Sequence, residues 1–197
     1  GLHGPVHRLY GPLRHPGSGQ VAVSDAVCPP GVLRADSLPH SSIGATPDLR
    51  IKPELSAVGG NVYSSIPTVE GKGDYASMSG TSMASPYVAG ASVLVKSYMA
   101  ENWTGSYDAA SMTENLMMST ASPVVDPETK LPYSPRLQGS GLIDLSAATS
   151  SDVVLYTDAD QYGDTKPVLN LGDDVAKNGS YDLTFHARNM GKDRPGL

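Results

Sequence analysis

A chain of 197 residues with 39% hydrophobic and 17% charged side chains has a globular composition, which excludes fibrous and wholly disordered classes. A formal charge of −6 argues against nucleic acid as a partner. No apolar run approaches the ~20 residues that span a bilayer, and Cys28 stands alone, so no internal disulfide can form.

Residues 1–40 carry six Pro, six Gly and four of the five His, with no apolar period of 2 or 3.6. Gly1-Leu2-His3-Gly4 lacks the charged-then-apolar order of a signal peptide. Only Gln20 to Val27 reads as a strand. The preferred reading makes 1–40 an unmatched arm foreign to the domain, from a misjoined gene end. A loosely packed arm is the alternative.

From Ser41 the character changes. Asn61 to Ile66 alternates with period two, as a strand does. Glu70 to Asp74 reads as a polar loop, and Tyr75-Ala76-Ser77-Met78 leads out of it. Residues 82 to about 101 predict a helix whose apolar positions cover nearly every face, which implies burial all round. Gly90 is costly inside a helix and makes sense where another backbone packs closely. A second helix is predicted over Ser111 to Thr120, ended by Pro123. A Pro-rich loop and the Gly-flanked strand Gly139-Ser140-Gly141-Leu142-Ile143-Asp144 follow. Beyond Ser151, short strands are predicted at Val153–Tyr156, Pro167–Leu171 and Tyr181–Ala187, separated by turns rich in Asp, Gly and Asn.

Met78-Ser79-Gly80-Thr81-Ser82-Met83-Ala84-Ser85-Pro86-Tyr87-Val88-Ala89-Gly90 carries the chemistry. It sets a serine after a Gly-Thr turn at the head of a helix, where unpaired backbone N–H groups and the helix dipole favour a developing oxyanion. Read blandly, Ser82 is only an N-cap. The stretch resembles the nucleophile motif of the subtilases, the subtilisin-like serine peptidases. Ser41 to Ala57 resembles the segment leading to that motif, which implies a loop, then an extended strand, then a tight turn at Val58-Gly59-Gly60. Residues 113–144 are similar to the end of the catalytic domain in the lactocepin and C5a-peptidase-like cell-envelope group.

The resemblance implies an α/β fold: the C-terminal part of a subtilisin-like parallel-sheet domain over 41–150, then the start of a fibronectin-like β-sandwich over 151–197. It implies a serine endopeptidase acting on polypeptide substrates, with Ser82 as nucleophile. Ser77, Met78, Ser79, Gly80 and Thr81 are candidate pocket walls. It implies a secreted or cell-envelope location. Calcium is compatible with the family, but no metal ligand is assignable. Asp158, Asp160, Asp164, Asp173 and Asp174 read as a solvated loop set rather than a metal site.

In this family an aspartate and then a histidine precede the serine. His3-Gly4-Pro5-Val6-His7 echoes the histidine motif but lacks its Thr and following helix. His15, His40 and His186 have no motif context, and Asp25 and Asp36 lack the expected strand end. No Asn precedes Asn61, so the side-chain oxyanion donor is missing too. Losing one such donor costs roughly 10²–10³ in turnover, a figure obtained on subtilisin itself. The chain alone should therefore be close to inert, with Asp and His supplied by a missing N-terminal segment. The other readings are a non-catalytic protein-binding fragment and one subunit of a split peptidase. Ala45, Val58 and Tyr87 depart from residues usual in the family without removing the nucleophile.

Overall fold

The computed structural model describes residues 23–25, 41–69, 72–126, 128–160, 162–171, 177 and 179–192. The histidines of the arm, Cys28, Asp36, Asp173 and Asp174 lie outside them.

The strand expected within 20–27 is β1, Val23–Asp25, paired in parallel with β2, Leu55–Ala57, so that Val23 faces Leu55 and Asp25 faces Ala57. All three residues of β2 are fully buried, as a parallel strand covered on both faces requires. On its other side β2 meets the predicted Gly-flanked segment: Ser56 N–H donates to the Gly141 carbonyl at 2.8 Å and Ile143 N–H donates to the Ser56 carbonyl at 2.9 Å. Leu142 exchanges two further 2.8 Å bonds with Ser122. Gly141 permits this close passage, because its φ is 126° and a Cβ would lie 2.4 Å from the Ser122 carbonyl oxygen.

β3 (Val62–Val69) and β4 (Lys72–Met78) form an antiparallel hairpin with Val62 opposite Met78 and Ser65 opposite Tyr75. The polar loop expected over Glu70–Asp74 is therefore shorter, since β4 already begins at Lys72. Backbone pairing does not need apolar side chains on a wet hairpin, and Tyr63, Ser65, Tyr75 and Ser77 are all exposed. The Tyr63 and Tyr75 rings stack at 5.6 Å.

α1, Thr81–Asn102, buries Ala84, Val88, Ala91, Val95 and Met99. It packs on α2 (Ala109–Ser119), β1 and β2. Burial all round is not observed: Tyr87, Val93 and Leu94 are exposed. Apolar composition set the expectation, but among the described residues nothing covers that side. α2 starts two residues earlier than predicted, where Asp108 caps it by accepting the Ser111 N–H at 2.8 Å. Its Leu116, Met117 and Met118 enter the core beside Ile143 and Ala148.

Two short helices follow, α3 (Pro135–Gln138) and α4 (Leu145–Ala148). β5 (Val153–Tyr156) and β6 (His186–Asn189) pair antiparallel. The strands expected at Pro167–Leu171 and over most of Tyr181–Ala187 are not formed. Leu169, Leu171, Leu183 and Phe185 are exposed there, so the apolar alternation finds no sheet to lie on. Val154 and Met190 nevertheless belong to the same core as α1 and α2.

A buried ion network ties distant segments together. Lys166 Nζ lies 3.1 Å from Glu54 Oε1, 3.2 Å from Glu114 Oε1 and 3.0 Å from Asp164 Oδ2. Lys52 pairs with the same Glu54 oxygen. Burial pushes the Glu114 carboxyl above the usual range, opposed by Lys166.

Candidate active site at the head of α1

The turn preceding α1 is held from two sides. Gly80 N–H donates to the Gly59 carbonyl at 2.8 Å, and Asn61 N–H donates to Ser79 Oγ at 2.9 Å. The predicted Gly59-Gly60 turn is thus a clamp on the predicted nucleophile turn, a link that sequence reasoning missed. Both stretches carry Gly, but nothing in the sequence pairs them.

Gly80 is the N-cap of α1, with φ 154°, and contributes no side chain. Ser82 is therefore not the cap; it is the second residue of the helix. The Gly80 carbonyl accepts the Met83 N–H at 2.9 Å and, at 3.4 Å, that of Ala84. The N–H groups of Thr81 and Ser82 precede any i−4 carbonyl of α1, so they and the dipole polarise this corner.

Ser82 is exposed, and its hydroxyl lies 3.5 Å from Met83 Sδ. Among the described residues no imidazole or carboxylate hydrogen-bonds it. Of the candidate pocket walls, Ser77, Met78 and Ser79 are exposed while Gly80 and Thr81 are half-buried. They lie together on the exit of β4 and the entry of α1. Tyr87, one turn into the helix, is also exposed.

The other predicted residues lie elsewhere. His186 Nε2 is 2.9 Å from Asp158 Oδ1, and its ring stacks on Tyr156 at 5.0 Å. Asp160 Oδ1 accepts the Tyr162 and Asp164 N–H groups at 2.8 and 2.9 Å, and Asp164 pairs with Lys166. These carboxylates are engaged in turns and ion pairs, and among the described residues no three His, Cys, Asp or Glu side chains gather as metal ligands. A cavity of about 510 Å³ lies between Arg50, Lys52, Asp158, Tyr162 and Lys166. Ser82 does not line it.

Residues 32–141 match the subtilase family. The chain belongs to the subtilase family. The match begins at residue 32, inside the stretch 1–40, and takes in β2, the hairpin, the Gly80-Thr81-Ser82 turn, α1 and α2. A C5a peptidase of Streptococcus pyogenes is 34% identical over 158 residues, covering 79% of this chain. A PII-type proteinase of Lactococcus lactis subsp. cremoris is 31% identical over 159 residues, covering 75% of it. The chain spans 12% and 8% of the lengths of these two relatives. Among solved structures, the PatG macrocyclase in complex with peptide aligns with a TM-score of 0.44 at 25% identity, covering 65% of this chain and 35% of that one. The α/β fold and membership of a serine peptidase family follow from the family match, and both agree with the sequence reading.

Proposed function

We propose that this chain is the nucleophile-bearing part of a subtilase endopeptidase and is inert until the acid and base are supplied. One observation carries the reading: Ser82 stands exposed on a clamped, polarised helix head inside the stretch that matches the subtilase family. With a histidine against its Oγ, Ser82 attacks the scissile carbonyl while that histidine takes the hydroxyl proton. The oxyanion forms beside the first-turn N–H groups of α1. The histidine then returns the proton to the leaving amine, and water releases the acyl group by the same route.

The substrate is an extended polypeptide, with Ser77 to Thr81 as walls beside the reacting carbonyl. Residues 41–150 are the C-terminal portion of the peptidase domain, and 151–197 begin a fibronectin-like module. A secreted or cell-envelope location goes with the relatives' kind.

A fluorophosphonate probe tests the reading. The chain alone is expected to stay unlabelled. The same chain joined to an upstream segment carrying the family's Asp and His motifs is expected to label at Ser82, located by peptide mass mapping. Labelling of the completed enzyme that survives Ser82→Ala overturns it.

A further inference from the structure

The cavity of about 510 Å³ stands apart from Ser82, which does not line it, and its charged groups are unevenly committed. Every acid of the lining already has a partner. Asp48 accepts the Arg50 Nε–H at 2.7 Å, and Asp158 meets His186. Asp160 takes two N–H groups of its own loop, while Glu54 and Asp164 meet Lys166 Nζ.

Two cations of the same lining have nitrogen to spare. Arg50 commits only Nε to Asp48, and its guanidinium lies 4.9 Å from the centre of the Tyr162 ring, so bond and stack together orient its plane. Among the described residues its two terminal nitrogens take no partner. A planar pair of N–H donors is the group that holds a carboxylate through two bonds. Lys52 differs. It shares one oxygen, Glu54 Oε1, with Lys166. Two ammonium groups on one oxygen repel each other, which favours loss of a proton from one of them. Lys166 also faces Glu114 and Asp164 at 3.2 and 3.0 Å, whereas Lys52 pairs with Glu54 alone among the described residues. Lys52 is therefore the one that gives up its proton. Burial and the Lys166 charge lower it to about 8. About a tenth of the molecules then carry a neutral, nucleophilic amine at pH 7.

We infer that this cavity is a binding site for small oxo acids, which Arg50 holds by the carboxylate while Lys52 captures the neighbouring carbonyl as an imine. Arg50 and Lys52 are one residue apart, with backbone positions within roughly 7 Å, so a short ligand can touch both. The lining has five carboxylates against three cations, which suits a single negative charge better than a phosphate ester. The neutral Lys52 nitrogen adds its electron pair to the carbonyl carbon, and the carbonyl oxygen takes up a proton. Glu54, in contact with that nitrogen, is placed to pass a proton from nitrogen to the departing hydroxyl. Water leaves, a carbon–nitrogen double bond remains, and nothing is oxidised or reduced. None of this depends on the peptidase reading of Ser82.

The test exposes the full chain to glyoxylate with cyanoborohydride, which reduces each imine to a fixed amine that peptide mass mapping locates. At pH 7, Lys52 should be modified at least tenfold faster than the exposed Lys96 and Lys130. That advantage should shrink by pH 9.5, because an unperturbed lysine keeps gaining amine after Lys52 has stopped. Arg50→Gln should lower the ratio of glyoxylate to acetaldehyde reactivity at Lys52 about tenfold, since only glyoxylate carries a carboxylate. Acetate should compete with glyoxylate at Lys52 and not at Lys96, a measurement on the wild type that stands even if Arg50→Gln does not fold. Equal reactivity of Lys52, Lys96 and Lys130 overturns the inference, as does an advantage that grows with pH. A reactivity ratio unchanged by Arg50→Gln in a folded chain overturns it too, and so does acetate acting alike on Lys52 and Lys96.

Discussion

The Gly80 N–H donates to the carbonyl of Gly59 at 2.8 Å, and Ser82 hangs from the corner that this bond fixes. The φ of 154° at Gly80 is strained for any residue with a Cβ, and that Cβ would lie 3.2 Å from Ser82 Oγ. Gly80→Ala should cost about 1–3 kcal/mol of folding stability. In the completed enzyme it should slow fluorophosphonate labelling at least tenfold. A variant that melts and labels like the wild type would show that the clamp does not hold the serine.

Ser82→Ala separates chemistry from folding. The side chain is exposed, with only a 3.5 Å approach to Met83 Sδ, so urea unfolding of the chain should shift by less than about 0.5 kcal/mol. Peptide hydrolysis by the completed enzyme should vanish. A large loss of stability would make this serine a structural cap after all.

Lys166 is the keystone of the buried ion network. It is 13% exposed and faces Glu54, Glu114 and Asp164 within 3.2 Å. Lys166→Met removes the cation paired with Glu114 and leaves Glu54 with Lys52 alone, and should destabilise by about 3–5 kcal/mol. The urea midpoint should fall, with the slope unchanged. Adding Glu54→Gln and Glu114→Gln should recover part of the loss, because the uncompensated charges go with them. No recovery would mean that packing of the lysine stem matters more than its charge.

Lys52 gives the network a pH signature. Burial, then the neighbouring Lys166 ammonium, push it from 10.5 down to about 8. Because the folded value lies below the unfolded one, the unfolded chain binds more protons between them. Stability should therefore rise as pH climbs from about 8 towards 10.5. Tyr98 acts in the other sense: burial and its bond to Asp152 raise it to about 12, which erodes stability above pH 10. Unfolding at pH 7.5 and 9.5 isolates the lysine, and the wild type should gain on Lys52→Met between them. Parallel behaviour of the two proteins would remove Lys52 from the account.

The two faces of α1 should respond differently. Met99 is fully buried among the core side chains, so Met99→Ala should cost about 2–5 kcal/mol in the free chain. Leu94→Ala, on the open side, should cost less than about 0.5 kcal/mol. Equal losses would mean that Leu94 is as closely packed in solution as Met99.

What the sequence disclosed was set by local physics. A Gly-Thr-Ser turn before a long apolar run announces a helix head, and the alternation over Asn61–Ile66 announces a strand; both are present. Burial of α1 was misjudged because apolarity says that a face wants cover, not whether cover is there. The strands expected near Leu169 and Leu183 failed for a related reason, since alternation needs a sheet edge to join. The Lys166–Glu54 contact bridges 112 residues and leaves no local trace. The Gly59 clamp escaped notice likewise, for a backbone carbonyl has no letter in the sequence.

That ion network bears on how the chain can be shortened. Residue 150 looks like a natural place to cut, because the helical part ends there and short strands begin. Yet Lys166 lies beyond the cut while Glu54 and Glu114 lie before it. A truncation there would take the paired cation from Glu114, leave Glu54 with Lys52 alone, and remove the Val154 and Met190 side chains from the core. The covalent border and the energetic border of this peptidase segment do not coincide, and any minimal version should run past Met190.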